Sequence, residues 1–183
     1  MRQITRDRRR HLPVLFLILG LILFVNLFSG TDYQLLSIVV NIKASLGYPA
    51  QTNIVLPPIG RVMVPTHWLP VRLNVELKSV DLSSLKGIVF APSLDTEAVV
   101  DAMREGALRI LVLFALKVAS LGTAGSVFFL YLWGERRPKK LVRAGASAAG
   151  IVLLLVLVVL YTYDVSGFER LEYEGMIEAA PWV

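Results

Sequence analysis

Apolar residues gather into three blocks along this chain of 183 residues, and between the first and second blocks the pattern changes to alternation. The first block runs from Leu12 to Phe28, the second from Ala107 to Trp133 and the third from Ala144 to Tyr163. The second holds 27 residues and the third 20. At about 1.5 Å per residue, each of these two is long enough as a helix to cross a hydrocarbon core of about 30 Å. A soluble chain of this size has too little apolar surface to cover both, so they read as a helical hairpin in a bilayer. The first block follows a basic arm, a layout shared by an uncleaved anchor and a cleaved signal peptide. Val25-Asn26-Leu27-Phe28-Ser29 lacks the small residues a cleavage site needs, which favours the anchor.

Residues 29–94 alternate instead. Ile38, Val40, Ile42 and Ala44 fall on one side of an extended chain, with Val39, Asn41 and Lys43 opposite. Thr52, Ile54 and Leu56 repeat the pattern, and Val71, Leu73, Val75 and Leu77 give its cleanest instance, with Arg72, Asn74, Glu76 and Lys78 facing away. This is the period of a half-buried strand. Gly47-Tyr48-Pro49 and Pro57-Pro58-Ile59-Gly60 read as turns, and Arg61–Val64 as a further short strand. Three or four antiparallel strands need a cover for their apolar face. A short helix over Asp81–Phe90 would supply one. Asp95 reads as an N-cap with Glu97 in the first turn, opening one helix that no proline interrupts before Pro138. Small residues four apart, such as Ala115/Ala119, Gly122/Ser126, Ala144/Ala148 and Gly145/Ala149, suit helices that approach closely in lipid.

The pattern as a whole predicts an α+β integral membrane protein, with three transmembrane helices and a small antiparallel, β-rich extracytoplasmic domain. The expected order is a basic arm (1–11), a first span (12–28), the β-rich domain (29–94) and a long helix continuing into the second span (95–133). A basic loop (134–143), a third span (144–163) and an acidic tail (164–183) follow.

Composition agrees with this, at 55% hydrophobic residues and a mean hydropathy of +0.63. Charge then sets an orientation. The net charge of +5 is concentrated in the arm (Arg2, Arg6, Arg8, Arg9, Arg10) and the loop (Arg136, Arg137, Lys139, Lys140, Arg143), so the remainder is net acidic. Basic clusters beside spans mark the cytoplasmic side. The N-terminus is therefore expected inside, and the β-rich domain and tail outside, in a multi-pass protein of the cell membrane. No aromatic residues interleave with either cluster, which excludes a nucleic-acid surface. There is no cysteine, hence no disulfide framework and no thiolate metal site.

Two residues stand out as candidates for function. Lys117 lies within the second apolar block, about 12 Å beyond Arg109 along a helix. An ionisable residue at such a depth is a functional candidate by default. The alternatives are snorkelling to the outer interface, a salt bridge to an external acid, or a transport or catalytic role. His67, in Thr66-His67-Trp68-Leu69-Pro70, is either a site residue or a turn histidine bonded to backbone. With only His11 and His67 there is no histidine cluster for a metal, and no nucleophile-elbow or phosphate-loop motif is present. The sequence thus offers no catalytic, cofactor-binding or metal-binding residue.

Leu56-Pro57-Pro58-Ile59-Gly60, Thr66-His67, Pro70, Leu73–Leu77 and Val80-Asp81-Leu82 together resemble the N-terminal membrane region of bacterial membrane-bound calcineurin-like metallophosphoesterases. Tyr173-Glu174-Gly175 and Ala179-Ala180-Pro181 resemble the segment just before the catalytic domain of that family. The Asp-x-His, Gly-Asp and Gly-Asn-His motifs of its dinuclear metal site are absent, so no catalytic or metal-binding residue carries over. The resemblance implies a membrane anchor and extracytoplasmic scaffold, not catalytic by itself, whose metal site would belong to a missing downstream phosphoesterase domain. The alternative expectation is a stand-alone cell-envelope protein that binds another membrane or wall component. Its partners are then the lipid bilayer and a phosphoesterase domain or envelope protein.

Overall fold

The computed structural model describes residues 2–81, 96–164 and 172–175. Its elements are α1 (Arg2–Phe28), β1 (Thr31–Leu35), β2 (Ile38–Leu46), β3 (Gln51–Leu56), β4 (Gly60–Val64), β5 (Val71–Val80), α2 (Thr96–Leu132), α3 (Pro138–Tyr161) and β6 (Glu172–Gly175). The helix expected over Asp81–Phe90 lies outside the described residues beyond Asp81, as does the expected cap at Asp95.

The expectation of three transmembrane helices is corrected. Among the described residues, two helices are long and apolar enough to cross a membrane, within Glu97–Leu132 and Pro138–Tyr161. The apolar part of α1, Pro13–Phe28, is shorter. At 1.5 Å per residue it covers about 24 Å, less than a hydrocarbon core. The helical backbone of α1 nevertheless begins at Arg2 and continues through Pro13.

The three helices lie side by side with α2 in the middle. Small residues set the α1–α2 distance. A Cβ built on Gly20 would stand 2.3 Å from the Gly125 carbonyl oxygen, and one on Gly125 equally close to the oxygen of Gly20. Backbone therefore meets backbone. Beside this crossing Ser126 Oγ donates to Leu17 O at 2.9 Å, and at the loop end Phe16 packs on Trp133 with ring centroids 4.3 Å apart. On the other side of α2, Gly145 of α3 lies against Thr123 and Val127, and Val152 lies against Gly122. Pro138 opens α3 in its first turn, where a missing N–H costs nothing.

The six strands form one sheet in the order β1-β2-β5-β3-β4-β6. The expectation of a purely antiparallel sheet is corrected as well: β3 and β5 are parallel neighbours, Thr52 opposite Leu73 and Ile54 opposite Val75. The cause is the chain path. The β3–β4 hairpin turns back, and β5 then returns to the far side of β3 instead of adding beside β4. Val40, Ile42 and Ala44 of β2 and Val71, Leu73 and Val75 of β5 share the face turned toward α2 and α3. The outer face is polar. On it Gln51 donates to Asn53 at 2.6 Å, and Asn53 to Asn74 at 2.7 Å.

Candidate functional site

An apolar cavity of about 450 Å³ lies between part of the inner face of the sheet and the helices, beside a core in which Ala44 packs with Val25, Phe114 and Val118 and in which Ile42 and Leu73 take part. Strand alternation supplies one wall through β2 and β5. Helical spacing supplies the other, with Ile110, Phe114 and Val118 of α2 and Val152, Val156 and Val159 of α3 turned inward. Val25 closes the side next to α1. Among the described residues the lining contains no charged side chain, and Thr52 and Tyr163 carry its hydroxyl groups. Thr52 Oγ1 already bonds Thr66 Oγ1 at 2.8 Å. These walls offer an apolar molecule a place to sit. Beyond those two hydroxyls, the described lining offers no nucleophile, acid or base with which to transform it.

Polar bonds around the rim hold the sheet to the helices. Beyond Ile42 the edge of β2 has run past β1, which would leave its backbone groups open. Two side chains from the end of α1 take the place of the missing strand. Ser29 Oγ donates to Ala44 O at 2.7 Å and accepts from Ala44 N at 3.1 Å. The Asn26 amide accepts from Leu46 N at 2.6 Å and donates to Leu46 O at 3.3 Å. Past the end of α3, Asp164 N donates to Thr66 O at 2.9 Å. Higher on α2, a Cβ on Gly106 would run into the Leu35 side chain of β1, and Tyr33 stands edge-on to Phe114.

Lys117 belongs to this rim. Its ammonium donates to Gly30 O at 3.0 Å and to Thr31 Oγ1, which ties α2 to the α1–β1 junction. Both partners are neutral oxygens at the sheet end of the helices, a placement that suits a lysine reaching out of an apolar helix. His67 lies elsewhere, buried in the β4–β5 connection. Its Nε2 faces Val71 O at 2.7 Å, and its Nδ1 faces Thr66 Oγ1 at 2.8 Å. A carbonyl can only accept, so the neutral ring carries its proton on Nε2 and accepts at Nδ1 from Thr66. A continuous chain Thr52–Thr66–His67–Val71 results, with both ring nitrogens engaged. The structure does not bring Lys117 and His67 together.

Several residues that build the site carried little signal. Gly20 and Gly125 are isolated glycines in apolar helices, where each costs about 1 kcal/mol against alanine, and that cost is the clue to a close approach. Ser29, Thr52 and Thr66 are ordinary small polar residues whose burial depends on partners distant in sequence. Among the described residues no three His, Cys, Asp or Glu side chains gather as metal ligands. Comparison with protein-family models, with curated proteins and with solved structures finds no match for the chain.

Proposed function

We propose that the protein is a membrane anchor that carries an extracytoplasmic β scaffold and has no catalysis of its own. One observation carries this reading: three large aromatics stand exposed next to the bonds that join sheet and helices. Trp68 is 88% exposed, Tyr48 77% and Tyr161 92%. Tyr48 lies two residues from Leu46, which Asn26 holds to the end of α1. Trp68 lies two residues from Thr66, which is bonded to the chain leaving α3. Tyrosine and tryptophan favour the membrane–water boundary, where an apolar ring and a polar tip are both satisfied. The same stretches of α2 and α3 that line the cavity also expose Leu113, Leu116, Leu153, Leu154 and Leu157, side chains that only lipid would solvate well.

In this reading α2 and α3 cross the bilayer, the basic turn at Arg136–Lys140 faces the cytoplasm, and the sheet and β6 lie outside. The resemblance to membrane-bound metallophosphoesterases gives the scaffold its use. Tyr173-Glu174-Gly175, which there precedes a catalytic domain, is the edge strand β6 in this fold. A phosphoesterase domain beside β6 would be held rigidly above the membrane. The absence of cysteine makes the topology directly testable. Ser79→Cys should react with a membrane-impermeant maleimide on intact cells, and Lys139→Cys only after permeabilisation. The reverse pattern, or equal labelling of both, overturns the reading.

A further inference from the structure

We infer that the cavity between the sheet and the hairpin holds one acyl chain of a bilayer phospholipid, admitted from the side. The inference rests on the membrane-anchor reading and adds a ligand to it. At about 450 Å³ the space falls within the range of ligand pockets, far above the voids that packing leaves in a protein core. It is too apolar for ordered water, which needs two to four polar partners. The one threonine in the wall is already bonded to Thr66.

The opening decides the occupant. Leu111 and Leu160 line the cavity, yet 38% and 47% of their surface is exposed. They join the cavity to the outward apolar faces of α2 and α3, which carry Leu113 and Leu157. The exposed aromatics Tyr48, Trp68 and Tyr161 lie within three residues of the bonds that join sheet and helices, and Tyr163 borders the space itself. An acyl chain can therefore pass from the outer leaflet between Leu111 and Leu160 without crossing water, while its headgroup stays at the level of the aromatic rings. A soluble apolar ligand would have to approach through the headgroup layer, and a partner helix is too wide for the space. Inside, the chain would lie against Leu73, Val75, Phe114 and Val156, which line the space.

The test uses the full chain in vesicles of phosphatidylcholine doped with a phosphatidylcholine that bears a photoactivatable diazirine near the end of one acyl chain. Irradiation and peptide mapping should place label on Leu73 or Val75 of the sheet as well as on Leu153, Leu154 or Leu157 of α3. Ala115→Phe and, from the opposite wall, Val156→Phe fill the cavity and should each lose the sheet label while the outward α3 label persists. Label on α3 with none on the sheet overturns the inference and leaves the membrane reading standing; a cavity filled by another part of the chain gives this result. Sheet label that survives both substitutions also overturns it. Absence of label from sheet and helices alike overturns both readings.

Discussion

The seam between α1 and α2 and the junction between sheet and helices use opposite means of attachment. At the seam Gly20 and Gly125 let two backbones touch, and the contact is continuous. At the junction an apolar space remains beside the packing of Ala44 on Val25, Phe114 and Val118, and hydrogen bonds fasten the edge through Asn26, Ser29, Lys117 and the Asp164–Thr66 bond. In the membrane-anchor reading the difference follows from solvent. Helices surrounded by lipid gain nothing from hiding leucine, so close approach and interhelical hydrogen bonds must join them. A sheet beside an apolar surface needs only to be oriented, and hydrogen bonds at its rim orient it. The first attachment leaves no room for a guest, and the second keeps room for one.

The seam is the place to break the molecule. Gly125→Leu would drive side-chain atoms into the Gly20 carbonyl and the Phe24 ring, whose Cγ would lie 2.7 Å from the new Cβ. The helices must then part, at a cost of about 3 kcal/mol or more. Gly150→Ala is the control, since a Cβ there meets nothing within 4 Å. It should leave stability unchanged or raise it by no more than about 1 kcal/mol. Thermal unfolding in detergent measures both, and equal effects from the two would remove the distinction between seam and surface.

The rim should respond less. Ser29 is fully buried, and Ser29→Ala leaves the N–H and C=O of Ala44 without partners, a loss of about 1–3 kcal/mol. The damage should be local. Hydrogen exchange at the Ala44 amide should accelerate, while Lys43 and Ser45, whose backbone groups point to β5, keep their protection. Uniform acceleration would mean that Ser29 holds the whole sheet and not one edge. Lys117→Met should cost about 1 kcal/mol, because two lost bonds are partly offset by removing a cation from an apolar helix. A loss larger than that of Ser29→Ala would make Lys117 the main clasp.

The two attachments were unequally legible in the sequence. Alternation at Val71, Leu73 and Val75 reveals the inner face of the sheet, because a side chain's direction in a strand follows from its position alone. The continuous helix Thr96–Leu132 is likewise written in its lack of proline. Strand order is not local, and nothing in residues 51–77 announces that β3 and β5 run parallel. Strand β1 escaped for a different reason. Its turn to β2 is Leu36-Ser37, and the left-handed residue is a leucine with φ of 52°, where glycine or asparagine is the usual signal. The cavity could not be read at all. Its walls are apolar residues that look the same in sequence whether they touch or stand apart.

The smallest effect belongs to the turn at the other end of the hairpin, and it bounds the comparison from below. Glu135 accepts from Lys140 Nζ at 2.5 Å and from Arg137 N at 3.3 Å, in a turn open to solvent. The bond from Lys140 holds its carboxyl below the ordinary glutamate value, outweighing the opposing push from desolvation, and the Arg137 amide adds a lesser pull downward. A carboxyl depressed in the folded state contributes stability at pH values above its unfolded value, about 4.3, and loses it as pH falls through the lower folded value. Exposed pairs of this kind contribute little. Glu135→Gln should therefore leave thermal unfolding unchanged at neutral pH, and should abolish only a slight acid-dependent loosening of residues 134–140, measured by amide exchange between pH 3 and 5, a window set about the ordinary glutamate value. A clear fall in stability at pH 7 would place a structural load on this turn. The seam and the rim would then no longer account for how the helices are held.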